Sequence, residues 1–438
     1  MKKWIGLTGF ITLASIAAGV PYWTGVEVEK HFGYFHQTLL PSNQWKLTGY
    51  EFERGWFDSQ AQASFFYSLF AADDYQVKLQ HHIAHGWQPL QTSTIDTQVS
   101  LAALQGAKIG QFSPLVDLHT QVQLTGENRS TLTLFPFSVE DSSQQIQLSW
   151  TQAQARIETT PTLSPLKAWL ELPALTWQHA SQQITLQQLQ VNSELLSGLH
   201  DLGLGTTRIT LEKIAMQLNG LLPSVLSQFE AVIHNQLQEQ FLNSDWLLHS
   251  ARLDFGSLQL TAAKLGISLQ HWHAHSARNL KAALLLDMRE LSAVQRNLSL
   301  MSALMQYGVP LLDNAPEVFI NHLELHHGAE ALQLTAHAKM NKVNMQALFN
   351  PNLLLQDLVA ELALQVDKAL FIALLEQYFM YYQFPKAHEL AQNRVNALIA
   401  QQWLQFEPKT EKLNLQLVFK NNLLQVNGMS RNLGGVFN

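Results

Sequence analysis

The sequence contains no cysteine, and only 14% of its 438 residues are charged. The first absence removes disulfides, thiolate metal sites, iron–sulfur clusters and thiol catalysis together, and it suits an oxidising compartment where stray thiols are a liability. The second leaves few charges to cover a surface, so Gln, Asn, Ser, Thr and His carry much of the polarity. The net charge of -7 is spread along the chain. With no basic arm, RNA-binding signature or zinc-finger spacing, nucleic acid is not an expected partner. Enzyme motifs are missing as well: there is no Gly-x-Ser-x-Gly elbow, His-Glu-x-x-His helix, phosphate-binding loop or dinucleotide fingerprint. The chain is therefore expected to act by binding, with no catalytic residue and no cofactor.

What the sequence does have begins at its first residues. Lys2 and Lys3 precede an uncharged run from Trp4 to Val26, and Glu27, Glu29 and Lys30 follow it. A helix rises ~1.5 Å per residue and the hydrocarbon core is ~30 Å thick, so such a run is long enough to span. Residues 1–26 are expected to be an uncleaved signal-anchor helix. Its lysines face the cytoplasm, and Tyr22 and Trp23 lie at the outer interface. The alternative is a cleaved signal peptide, with Ile5 to Ala14 as its apolar region and small residues at Ser15 and Ala17. Either way, the bulk of the chain works outside the cytoplasm.

Period-two alternation dominates the body, as half-buried strands require. Examples are Leu115–Leu124, Ser130–Val139, Gln145–Ile157, Ile184–Val191, Thr206–Leu218, Trp246–Leu260, Val318–Leu325, Ala331–Met340 and Leu413–Phe419. Hairpins are expected at Asn421-Asn422, residues that tolerate φ > 0, and at His327-Gly328. Three-to-four spacing predicts helices at Pro223–Phe241, Leu291–Val309, Lys368–Tyr382 and His388–Leu404, their apolar stripes packed in the core. Glu27–Leu40 reads as a helical continuation of the anchor. The expected fold is mainly β (α+β), with long antiparallel, curved sheets and several packing helices after one transmembrane helix. Two extracytoplasmic halves are expected, 27–220 rich in β and 221–438 of α+β character, breaking near Asn219–Ser244.

The stretch Tyr50-Glu51-Phe52-Glu53-Arg54-Gly55-Trp56-Phe57-Asp58-Ser59 stands about 25 residues past the anchor. It resembles the Tyr-x-x-x-Arg-Gly-hydrophobic-Phe-x-Ser signature of YdgA-like bacterial proteins, the DUF945 family. His85-Gly86 is similar to that family's His-Gly-Pro, with Trp87 in place of the proline. The closing segment Leu413–Gly428, ending Val426-Asn427-Gly428, matches too, with Asn421-Asn422 at its turn. The resemblance implies an inner-membrane anchor, a periplasmic domain and a Gram-negative envelope, and it supplies no catalytic residue. Read physically, Gly55 permits a positive φ or a close approach, Trp56 and Phe57 bury apolar area, and Arg54 pairs with Glu51 or Glu53.

Histidines are the remaining source of chemistry. On a strand, His271, His273 and His275 share one face, as do His322 and His326 flanking Glu324. Successive same-face side chains are ~6.5–7 Å apart, so three in tandem cannot readily wrap one ion at ~2 Å; a solvated or partly buried sheet face is expected instead. His81 and His85, aligned with Tyr75, Val77, Leu79 and Ile83, read as satisfied core histidines. The expected partners are the membrane, a lipid ligand held on an apolar sheet face, or an envelope protein recruited by a scaffold.

Overall fold

The computed structural model describes Glu29 and residues 45–67, 75–88, 91–103, 113–123, 125, 127–141, 146–160, 166–196, 203–218, 222–285, 293–341 and 355–431. The expected anchor at 1–26 and its continuation, Glu29 apart, lie outside the described residues. Among the described residues, no helix is long and apolar enough to cross a membrane. The chain divides into two compact units, Met1–Ala180 with Leu186–Glu194, and Ser181–Thr185 with Leu195–Asn438. That division falls earlier than Asn219–Ser244, a stretch that lies within the second unit.

The first unit's described elements are all strands: β1 (Trp45–Arg54), β2 (Asp58–Tyr67), β3 (Tyr75–Gln88), β4 (Gln91–Ala103), β5 (Ser113–Gln123), β6 (Asn128–Leu134), β7 (Phe137–Asp141), β8 (Ile146–Trp150), β9 (Ala153–Thr159) and β10 (Leu166–His179). They form an antiparallel meander, each of β1 to β5 pairing with the next strand in the chain. β6 and β7 behave as one long strand broken at Phe135-Pro136, and β8 and β9 as its partner broken at Thr151-Gln152. β7 pairs with β8, β6 with β9, and β10 runs beside both β8 and β9. Proline has no N–H for a ladder, which suits Pro136 to the break. β11 (Gln182–Leu195) spans the division between the units.

Register turns the alternation into two faces. Val116, Leu118 and Thr120 lie opposite Leu134, Leu132 and Ser130, and these lie opposite Ala153, Ala155 and Ile157. The same face continues through Ala168 and Leu170 on β10. The other face carries His119, Thr131, Arg156 and Lys167. A single-residue slip would exchange the two, so the apolar face fixes the register.

The second unit's described strands again form antiparallel pairs, and its elements include helices. Its strands are β12 (Gly205–Gln217), β13 (Ser224–Gln238), β14 (Phe241–Phe255), β15 (Leu258–Leu260), β16 (Ala262–His273), β17 (Glu317–His327), β18 (Glu330–Met340), β19 (Leu358–Asp367), β20 (Gln405–Glu407), β21 (Lys412–Lys420), β22 (Leu423–Val426) and β23 (Met429–Arg431). Antiparallel pairing runs β12 to β14, on to β15 and β16, then β17, β18, β19 and β21. β20 and β22 pair with different parts of β21, and β23 with β22. Between β16 and β17 lie α1 (Ala274–Leu285), α2 (Ala293–Ala303), a π turn (Leu304–Gly308) and α3 (Val309–Asp313). Between β19 and β20 lie α4 (Lys368–Tyr381) and α5 (Ala387–Ala400). The coarse expectation holds: the protein is mostly β and its strand pairs are antiparallel, with few helices among the described residues.

Helices expected at Lys368–Tyr382, His388–Leu404 and Leu291–Val309 are found; the one expected at Pro223–Phe241 is a strand. β13 sits between β12 and β14 and pairs with both along most of its length. Leu226 and Val232 are apolar on one side and Phe229, Ala231 and Ile233 on the other, and apolar residues on both sides of a strand imitate helical spacing. Pro223 precedes the ladder, and its carbonyl accepts from Gly256 N–H at 2.9 Å. Both expected hairpins form. Asn421 and Asn422 have φ of 52° and 59°, and Gly328 has φ of 60°.

The largest core lies where α4 and α5 meet the sheet: Val366, Leu370, Val395 and Leu413 are fully buried, joined by Leu332, Leu258, Leu260 and Leu404. Gln377, almost entirely buried, fixes α4 over the β14–β15 turn. Its amide donates to Ser257 Oγ at 2.8 Å and its oxygen accepts from Ser257 N–H at 3.2 Å. Gly256 makes the approach possible, since a Cβ there would collide with the Gln377 oxygen. α2 departs from the core expectation, with Leu298 65% and Met301 44% exposed.

Candidate functional site

The signature residues gather on the β1–β2 hairpin. Tyr50, Phe52 and Arg54 occupy alternate positions of β1, and Ser59 lies directly opposite Arg54 on β2. Arg54 pairs with Glu29, Nη1 to Oε2 at 3.0 Å, and not with Glu51 or Glu53, which point to the other side of the strand and are exposed. Burial, then the charge of Glu29, pushes the Tyr50 hydroxyl above its ordinary value. Two signature side chains therefore address one carboxylate just beyond the apolar N-terminal run. Ser59 is buried on the same side.

The turn between the strands is set by Gly55, whose N–H donates to the Asp58 carbonyl at 2.8 Å. A Cβ at Gly55 would overlap that carbonyl, so close approach is what demands glycine. Trp56 and Phe57, expected to bury apolar area, are 51% and 60% exposed, because the turn holds them at a hairpin tip. His85 and Gly86 lie on β3, where the pairing with β4 shifts register between His85 and Gln88.

The histidines do not converge. His271 has φ of 58°, which breaks the alternation, and β16 ends at His273, so His275 sits on α1. His271 approaches Glu317 at 3.6 Å, His273 bonds Ser276 Oγ at 2.7 Å, and His275 bonds Asn279 at 3.0 Å. His322 lies against Gly266, where a Cβ would meet its ring, and with Glu324, Gln333, Gln365 and Asn414 it lines an open polar trough. Among the described residues, no group of three or more His, Asp or Glu is placed to hold a metal ion. His81 is buried and shares a 2.8 Å hydrogen bond with Thr97. The side chain of His85 is outside the described residues.

One charged network escaped the sequence reading. Glu317, its side chain 12% exposed, accepts from Lys339 Nζ at 2.6 Å and bonds His337 Nε2 at 3.0 Å. Burial pushes this carboxyl up, but the hydrogen bonds and charges of Lys339 and His337 outweigh it and hold the group below its ordinary value. The His337 ring stacks on Phe319 at 4.2 Å. Strand register creates the site: Glu317 lies opposite Lys339, and Phe319 opposite His337. Only the pairing of β17 with β18 brings these residues together, so a linear scan had no signal for them.

The first unit also carries an apolar face from β5 to β10. Leu118, Leu132, Ala155 and Leu170 form a row across it, only partly buried, and Ile157 is 39% exposed. Its reverse carries ion pairs, Arg129 and Arg156 both reaching Glu158, at 3.0 and 2.6 Å, and His119 meeting Asp96. The sheet thus carries charged side chains on one face and apolar ones on the other.

Fold and signature hairpin together define a mostly β protein of antiparallel meanders. The chain belongs to the family of bacterial proteins of unknown function DUF945, whose model matches residues 1–433. No curated protein and no solved structure matches it.

Proposed function

We propose that this is a membrane-anchored periplasmic protein of the Gram-negative envelope that holds acyl lipid on the apolar face of its first unit, without catalysis. The observation that supports this is the partly exposed row Leu118, Leu132, Ala155 and Leu170 with Ile157 beside it, backed by a charged reverse face. Acyl chains need apolar contact without directional partners, and such a row offers that. The apolar run Trp4–Val26 supplies the anchor, and the resemblance to YdgA-like proteins supports the location.

A photo-crosslinking amino acid placed at Leu118 or Ile157 in the full chain, irradiated in cells, tests the reading. Phospholipid adducts are expected at both positions and not at Arg156 on the reverse face. Adducts to protein alone would overturn the lipid reading in favour of a scaffold. That second reading has its own support: Tyr378, Tyr382 and Phe384 are each at least half exposed around the end of α4, a cluster suited to a protein partner.

A further inference from the structure

The β1–β2 hairpin ties a fold element to the end of the apolar run. Val26 closes that run and Glu29 follows three residues later. Even fully extended, three residues span only about 10 Å. Arg54 is fixed to Glu29 at 3.0 Å, and Trp56 and Phe57 begin two residues beyond Arg54 at the hairpin tip. If Trp4–Val26 spans a bilayer, Glu29 stands within about 10 Å of the end of that span along the chain, and its ion pair with Arg54 keeps the hairpin near the membrane surface. The two side chains at the tip are a large aromatic pair, 51% and 60% exposed. Tryptophan gains most where one side is apolar and the other wet, and the phenylalanine beside it adds apolar area to the contact.

We infer that Trp56 and Phe57 insert into the headgroup region of the same bilayer that holds the N-terminal run, forming a second membrane contact that orients the first unit. The inference rests on the anchor reading of Trp4–Val26. Gly55 keeps the turn tight, the ion pair to Glu29 sets its distance from the anchor, and the aromatic pair makes the contact.

The chain has no cysteine, so each single-cysteine variant carries one label. Full-length Phe57→Cys, Trp56→Cys, Ala17→Cys and Gln98→Cys, labelled with an environment-sensitive fluorophore, are placed in phosphatidylethanolamine and phosphatidylglycerol vesicles. Nitroxide lipids quench at headgroup depth or deep in the acyl region. The label at 17 is expected to be quenched by the deep nitroxide, those at 56 and 57 by the shallow one with blue-shifted emission, and the label at 98 by neither. Quenching at 17 with water-like emission at both 56 and 57 would overturn the inference and leave the anchor reading standing. No quenching at 17, 56 or 57 would remove the anchor reading and the inference with it.

Discussion

The two units share one sequence pattern and use it differently. In the second, α4 and α5 close over the sheet, and Val366, Leu370, Val395 and Leu413 reach complete burial. In the first, the described elements are all strands. Phe65 and Ile83 are fully buried on β2 and β3, but from β5 to β10 the apolar row is only partly covered. Equal alternation thus gives full burial where α4 and α5 pack on the sheet and along β2 and β3, and an only partly buried row from β5 to β10. Period two reports that one side of a strand is apolar; it does not report what covers that side.

The sharpest way to break this comparison is a matched pair of truncations. Leu370→Ala should cost about 2–5 kcal/mol, the range for a buried leucine leaving a cavity, and should lower hydrogen-exchange protection across the second unit. Leu118→Ala in the first unit should cost less, about 1–2 kcal/mol, since part of that side chain already meets solvent. Equal losses measured by denaturant unfolding would show that the first unit's row is core after all.

Next in size is the charged network of the second unit. Glu317→Gln should cost about 1–3 kcal/mol, because Lys339 and His337 lose a charged acceptor. The Glu317 carboxyl titrates lower when folded than when unfolded, so its contribution is complete above the unfolded value of 4.5 and is lost as pH falls through the lower folded one. The stability gap between wild type and variant, followed by unfolding from neutral to acid pH, should therefore close only in acid. A gap that widens in acid would contradict the assigned direction.

Two smaller effects sharpen the account of the first unit. Gly55→Ala should cost about 1–2 kcal/mol, because the added Cβ forces the Asp58 carbonyl to move, and faster exchange at the β1–β2 amides would report it. The Arg54–Glu29 pair, with side chains 33% and 43% exposed, should show a coupling of about 0.2–1 kcal/mol in an Arg54→Ala and Glu29→Gln double-mutant cycle, weakening with salt. A coupling insensitive to salt would mean that the pair is shielded from water.

Much of the fold was legible because its signals are local. The strands alternate, the β21–β22 turn is built from two asparagines with positive φ, and α4 and α5 follow their apolar spacing. β13 was misread because two neighbouring strands, distant information, outweigh a local spacing that suits a helix equally well. The site was less legible. The signature stretch was visible as a motif, yet its arginine chooses a carboxylate 25 residues away over two beside it, because strand geometry turns those two to the other side. His271, in a left-handed conformation, ends the regular spacing that made a histidine row plausible.

By itself, then, the sequence determined the β character, two of the hairpin turns, the cysteine-free chemistry and the family, all of which depend on residue type and near-neighbour spacing. Tertiary structure decided which apolar faces became core, which carboxylate Arg54 holds, and that Glu317, His337 and Lys339 meet at all. Burial and ion pairing depend on which strands lie side by side, and that is set by the packing of the whole chain.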